Sequence, residues 1–201
     1  MSLFTDKAPR IMVSLLRDFK LWDKYDAAAC VGNLGHESGG FKYHQEINPI
    51  GGGRGGIGWP QWTGPRRRAY EAYCERNGLD PTSDVANYKY LFVELTSTEK
   101  KAIEATHNAI GLEAKTKAFE LAFERAGVKN YSERYNYAKQ ALVAYEKNPN
   151  VAGIVEDTTP PVQPISNTVK VTVGGIALAI LGAIAAYFGV SLDDVRNSIG
   201  W

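Results

Sequence analysis

Two carboxylates, Glu37 and Glu46, stand on either side of a glycine break, ahead of a segment rich in aromatic and amide side chains. Glu37 ends the stretch Gly32-Asn33-Leu34-Gly35-His36-Glu37 and is followed by Ser38-Gly39-Gly40-Phe41; Gly56-Ile57-Gly58-Trp59-Pro60-Gln61-Trp62-Thr63-Gly64 comes soon after. These residue types suit acid–base cleavage of a glycosidic bond. That reaction needs one carboxyl still protonated near neutral pH, and a partly apolar setting raises a carboxyl pKa by disfavouring the charged form. A second carboxylate then activates water or stabilises developing positive charge, and the separation of the two decides the stereochemical outcome. Glu37 is the candidate acid and Glu46 the candidate partner. Trp59, Trp62 and Tyr43 offer flat faces that can stack on sugar rings, although each would equally serve a core. Gln61 offers an amide to sugar hydroxyls, and His36 adjoins the acid.

The elements that position these groups follow from apolar periodicity. Ala27, Ala28, Ala29, Cys30, Val31 and Leu34 predict a buried helix over Leu21 to Glu37, which Ser38, Gly39 and Gly40 terminate. Glu37 should therefore stand at a helix end, open to a cleft and backed by apolar side chains. Further helices are predicted over Arg10 to Phe19, Pro65 to Asn77, Ala86 to Leu95, Glu99 to Ala109 and Leu112 to Ala126. A last helix carries the stripe Tyr131, Tyr135, Ala138, Leu142 and Tyr145. From Phe41 to Trp62 the glycines, Pro49 and Pro60 forbid a long helix and allow a small hairpin or loop along the cleft. The predicted fold is mainly α. Arg66, Arg67 and Arg68 fall in the first turn of a helix, where they either contact an anionic polymer or form a solvated patch. Cys30 and Cys74 could pair, but Cys30 in an apolar helix reads better as a small core residue. His36 and His44 lack companions at metal-binding spacing, and no metal or other cofactor is implied.

Gly32-Asn33-Leu34 with Glu37-Ser38-Gly39, then Gln61-Trp62-Thr63-Gly64 with Arg66-Arg67, and later Tyr90-Leu91 with Glu94-Leu95, resemble the phage tail lysozyme family of the lysozyme-like superfamily. The likeness runs from about Pro9 to Tyr145. It implies a lysozyme-like α-helical domain that cuts bacterial peptidoglycan, with Glu37 as the catalytic acid and Gln61 lining the saccharide cleft. The spacing of Glu37 and Glu46 is also similar to the muramidase pattern of Glu, eight residues, Asp, five residues, Thr. This chain places Glu46 at the second position and Gly52 at the third. The departure leaves open whether Glu46 takes part and whether the bond is hydrolysed or closed into an anhydro sugar.

The C-terminal part has a different character. Residues 1–148 are expected to form the catalytic domain and 149–168 a proline-containing linker. Val171 to Val190 contains no charged residue. Twenty helical residues span about 30 Å, the thickness of a bilayer core, so residues 169–190 are expected to form a transmembrane helix, followed by a short tail over 191–201. Gly175, Ala179 and Ala183 supply small residues at a spacing that permits close helix pairing and self-association. No N-terminal signal peptide is expected, because Arg17 and Asp18 interrupt the early apolar run. Of the 201 residues, 44% are hydrophobic and 22% charged, ordinary values for a globular protein, and the net charge of +1 excludes a dedicated nucleic-acid binder. The expected role is a phage endolysin held in the host inner membrane, its catalytic domain facing the wall. The alternatives are a virion-associated lysozyme or lytic transglycosylase used in infection, and a non-catalytic wall-binding module.

Overall fold

The computed structural model describes residues 2–46, 49 and 53–155, so the apolar run from Val171 to Val190 lies outside the described residues. Helix α1 (Leu3–Asp18) starts well before Arg10 because Ser2 caps it. Ser2 Oγ accepts from Thr5 N and Ser2 N donates to Thr5 Oγ1, which satisfies two otherwise free donors. Pro9 lies inside this helix and removes one backbone hydrogen bond. Phe4 and Ala8 nevertheless continue the buried face of Ile11, Met12 and Leu15, and that burial offsets the loss.

Helix α2 (Lys24–Glu37) begins after Asp23 rather than at Leu21. Asp23 Oδ1 accepts from the amides of Tyr25 (2.7 Å) and Asp26 (3.0 Å), a tighter start signal than the apolar Leu21. From Asp26 to Gly35 every residue of α2 is buried, so this is the central helix. Among the described residues the remaining helices are α3 (Gly64–Asn77), α4 (Asp84–Thr96), α5 (Lys101–Asn108), α6 (Leu112–Phe119) and α7 (Tyr131–Lys147). Helices α1, α6 and α7 pack on α2. At the crossing of α2 and α7 a Cβ on Gly32 would lie 2.6 Å from both Cβ and N of Ala138. Only glycine lets the two backbones come so close.

The predicted helix Leu112 to Ala126 does not continue unbroken. At Glu120–Glu124 it widens into a π-helical turn, and Arg125 closes it in the left-handed conformation with φ 54°. Such a turn shifts the side chains beyond it around the helix axis, and π turns recur at functional sites. The loop Phe41 to Trp62 contains two single antiparallel bridges, Gln45 with Ile57 and Ile57 with Trp62, in place of a regular hairpin.

Among the described residues two apolar clusters hold the fold. The larger joins α1, α2, α4 and the α6 region through residues such as Ile11, Leu34, Leu91, Phe119 and Phe123. The smaller gathers Ile57, Trp62, Tyr70, Cys74, Ala86 and Tyr90 between the loop, α3 and α4. Cys30 belongs to the first and Cys74 to the second; both are buried free thiols, and no disulfide joins them. The folded body also reaches past residue 148. Ile154 is buried against α1, its amide donates to Ser14 Oγ (2.9 Å), and Arg17 Nη1 donates to the Val155 carbonyl (2.5 Å). The first residues of the expected linker are thus docked on α1. Among the described residues no helix is long and apolar enough to cross a membrane.

Candidate active site

Glu37 is the last residue of α2, and the chain turns away from it at once. Ser38 Oγ donates to the Leu34 carbonyl (2.7 Å) and accepts from Phe41 N (2.9 Å), while Gly40 N donates to the Gly35 carbonyl (2.7 Å). Gly39 and Gly40 take φ values of 58° and 73°, which the reversal requires. Phe41 then enters the core and Glu37 remains at its rim, with its side chain 21% exposed.

A buried arginine holds the carboxylate. Arg134 of α7 is 1% exposed, and its Nη2 donates to Glu37 Oε1 at 2.5 Å. The same guanidinium donates through Nη1 to Asn33 Oδ1 (3.1 Å) and through Nε to the Lys129 carbonyl (3.1 Å). Asn33 in turn donates to the carbonyls of Ala29 (2.9 Å) and Thr116 (3.0 Å), which ties α2, α6 and α7 together beneath the site. Among the described residues Glu37 Oε2 makes no hydrogen bond. His36 Nδ1 lies 3.3 Å from Glu133 Oε2. Burial, and then the charge of Arg134, lower the His36 pKa, with Glu37 and Glu133 in partial opposition, so the imidazole is neutral at neutral pH.

A second group of charges gathers around Arg66 and Glu94. Arg66 of α3 forks onto Glu94 of α4 with two bonds of 2.8 Å, donates to the Phe123 carbonyl (3.2 Å) and lies 4.6 Å over the Phe123 ring. Trp62 Nε1 donates to Glu94 Oε2 at 2.6 Å. Glu124, at the end of the π-helical turn, has Oε1 sealed from solvent and, among the described residues, without a hydrogen-bond partner. Burial first, and next the charge of Glu37, push the Glu124 carboxyl well above the usual range, while Arg66 and Arg134 pull against them.

The structure separates several residues that the sequence reading groups together. Glu46 joins a different network: its Oε2 accepts from Gly56 N (2.9 Å), and it lines a cleft of about 480 Å³ with Arg54, Arg67 and Arg68. Among the described residues no hydrogen bond or ion pair joins Glu46 to Glu37. Trp59 and Trp62 are each 1% exposed, so neither offers an open face to a sugar. Trp59 packs on Phe41 in the main core, and Trp62 sits among Tyr70 and Tyr90 because its indole N–H is spent on Glu94. Tyr43, at 49% exposure, remains available, and its ring lies where a Cβ on Gly39 would fall. Gln61 donates to the carbonyls of Gly58 (2.7 Å) and Tyr43 (3.2 Å), which fixes the loop beside Tyr43. Arg66 is committed to Glu94, and Arg67 to Gln45, Glu71 and the Gly55 carbonyl; Arg68 is the exposed member of the three.

Arg134, Glu94 and Glu124 were not singled out as site residues by sequence reasoning. A signal for Arg134 existed. The fully buried residues of α7 are Arg134, Ala138 and Ala141, with Leu142 and Tyr145 of the predicted stripe packed partly buried against the core, and an arginine in helical register with two alanines points to a paired buried charge. With this geometry in view, residues 11–145 match the family model described as phage tail lysozyme. No curated protein and no solved structure matches the chain.

Proposed function

The chain belongs to the phage tail lysozyme family, and on that premise we propose that it cleaves the glycan strand of bacterial peptidoglycan with Glu37 as the general acid. A lysozyme-like enzyme acting on peptidoglycan is what the family implies. The observation that carries the assignment to Glu37 is its setting: the end of a helix buried from Asp26 to Gly35, one carboxylate oxygen gripped by a buried arginine and the other without a hydrogen-bond partner among the described residues. Such a grip fixes the carboxyl in one orientation, and orientation is a large part of what a catalytic group contributes. Glu37 then gives its proton to the glycosidic oxygen, which leaves with the departing sugar as the carbon–oxygen bond breaks, and positive charge develops on the ring whose anomeric carbon loses that oxygen.

The ring is next attacked either by water or by a hydroxyl of the same sugar. Glu46 is the sequence candidate for activating water, and its tie to the arginine-lined cleft favours a role for it away from the broken bond. Tyr43 and Gln61 are the candidate sugar contacts, Tyr43 by stacking and Gln61 by shaping the loop beside it. We further propose that the enzyme is an endolysin, anchored in the host inner membrane by the uncharged run from Val171 to Val190.

The test is loss of turbidity of purified cell wall. Glu37→Gln keeps the shape and cannot donate the proton, and the clearing rate should fall about 100-fold to 10,000-fold. A folded Glu37→Gln protein that clears wall at the wild-type rate refutes the assignment. Mass spectrometry of the products separates the two outcomes, since hydrolysis leaves reducing ends and internal closure leaves anhydro ends.

A further inference from the structure

We propose that the cleft beside α3 binds the charged peptide stem of peptidoglycan, taking a carboxylate of that stem at Arg68 and an ammonium group at Glu46. The inference rests on the reading of peptidoglycan as the substrate and is independent of the role given to Glu37.

The cleft, of about 480 Å³, lies between the loop around Glu46 and Arg54 and the start of α3. Among the described residues its charged lining is three arginines, Arg54, Arg67 and Arg68, and one glutamate, Glu46. Arg67 is the brace. It is buried, and its guanidinium donates to Glu71 Oε1 (3.0 Å), to Gln45 Oε1 (2.8 Å) and to the carbonyls of Gly55 (2.9 Å) and Arg54, which fastens the loop to α3. Gly55 takes φ 69°, and a Cβ there would lie 2.8 Å from Glu46 Oε2 and 3.0 Å from Pro49 Cβ, so the loop closes this tightly only with glycine. Glu46 Oε2 is held in turn by Gly56 N at 2.9 Å. Both walls are thus fixed before a ligand arrives, which lowers the cost of binding one.

The charges of the lining are not balanced. Arg54 and Arg67 share one anion, since both donate to Glu71 Oε1. Arg68 is exposed and, among the described residues, makes no hydrogen bond or ion pair. Arg66, two residues earlier, shows the contrast, with its fork spent on Glu94. The first turn of α3 holds no acidic residue and the Thr63 side chain makes no capping bond, so the positive end of the helix adds to the charge of Arg68. Glu46 in its turn has no cation among the described residues.

A cationic wall with one carboxylate set into it suits a ligand of mixed charge. The sugar rings of the glycan are uncharged where the lactyl carboxyl is taken up in the amide to the peptide. The charges of peptidoglycan therefore lie on the peptide stems, where a diamino acid brings a carboxylate and an amino group together. A carboxylate meets an unspent guanidinium through two parallel N–H···O bonds, and the ammonium seats on Glu46. A phosphate-bearing wall polymer would instead meet Glu46 as a like charge. The volume is that of a site for a small group rather than for a whole polymer strand.

The probe is the free stem peptide, which carries a diamino acid and no sugar, so its binding needs no bond cleavage. Isothermal titration of the full chain, held in neutral detergent, measures its Kd. Arg68→Gln alters an exposed side chain that holds nothing in the fold, and it should weaken binding about three- to tenfold. Glu46→Gln should weaken binding of the peptide but not of the same peptide with its amino groups acetylated. No binding to the wild type, or equal affinity in Arg68→Gln, overturns the proposal. Tighter binding of the peptide by Glu46→Gln, or binding of inorganic phosphate in its place, overturns it as well. With wall as substrate, Arg68→Gln should raise KM without lowering kcat, and the difference should vanish on glycan stripped of its peptides by an amidase. Equal impairment on stripped glycan overturns the proposal. Absence of peptide binding beside an inactive Glu37→Gln protein defeats the peptide cleft alone, whereas full activity of Glu37→Gln beside intact peptide binding defeats the reading of Glu37 alone.

Discussion

Replacing Arg134 by glutamine is the most direct test of how the site is held. The substitution removes a guanidinium that is 1% exposed and makes three hydrogen bonds, to Glu37, Asn33 and the Lys129 carbonyl. A bond to a charged group contributes about 1.5–3 kcal/mol and each of the others about 0.5–1.5 kcal/mol. Taking one partner from a buried ion pair costs about 3–5 kcal/mol, which agrees with that range. Because Glu37 is 21% exposed, water relieves part of its loss, and a cost near 3 kcal/mol is expected. For a chain of this size that corresponds to a fall in Tm of roughly 6–12 °C. Urea unfolding of the wild type, Arg134→Gln, Glu37→Gln and the double variant completes a mutant cycle. The Glu37–Arg134 coupling should be at least about 1 kcal/mol, so Arg134→Gln should cost clearly less when Glu37 is already glutamine. An equal cost in both backgrounds would refute the idea that the pair acts as a unit.

Gly32→Ala should destabilise the protein by about 1–3 kcal/mol or more, because its Cβ would fall 2.6–2.7 Å from the Ala138 backbone and α7 would have to move away from α2; chemical denaturation measures this, and a neutral effect would show that the helices separate freely. Asp26→Asn should cost about 3–5 kcal/mol at pH 7, since Lys115, bonded to Asp26 at 2.6 Å, would be left as a buried unpaired charge. Burial raises the Asp26 pKa, but the bonds from His107 and Lys115 outweigh it and hold the carboxyl below its ordinary value. Its stabilisation is therefore present above about pH 3.9 and is lost as pH falls through the folded-state pKa, so wild-type stability should decline more steeply with acid than that of Asp26→Asn in urea titrations at stepped pH. A chain ending at Thr158, the end of the first compact unit, should remain soluble and still clear purified wall, while the full chain pellets with membranes; a shorter chain ending at Asn150 should be less stable through loss of Ile154 from the core. Full-length protein that stays in the supernatant would refute the membrane anchor.

The local signals in the sequence were enough to read most of the helices and the place of Glu37 at the end of one of them. Apolar spacing is a property of neighbouring residues, and so is the stop made by Ser38, Gly39 and Gly40 after the alanine-rich run. Errors arose where the deciding contact was distant. Pro9 conceals the early start of α1 until the burial of Phe4 and Ala8 is seen, and the π-helical turn at Glu120–Glu124 leaves no mark in the periodicity. Trp59 and Trp62 read equally well as sugar platforms or as core, and packing sent both inside. Only the tertiary structure decided which side chains meet Glu37. Arg134 lies 97 positions away in sequence, on α7. A lone glutamate at a helix end carries no sign of the arginine that holds it, because that partner is brought up on α7, which crosses α2 closely at Gly32.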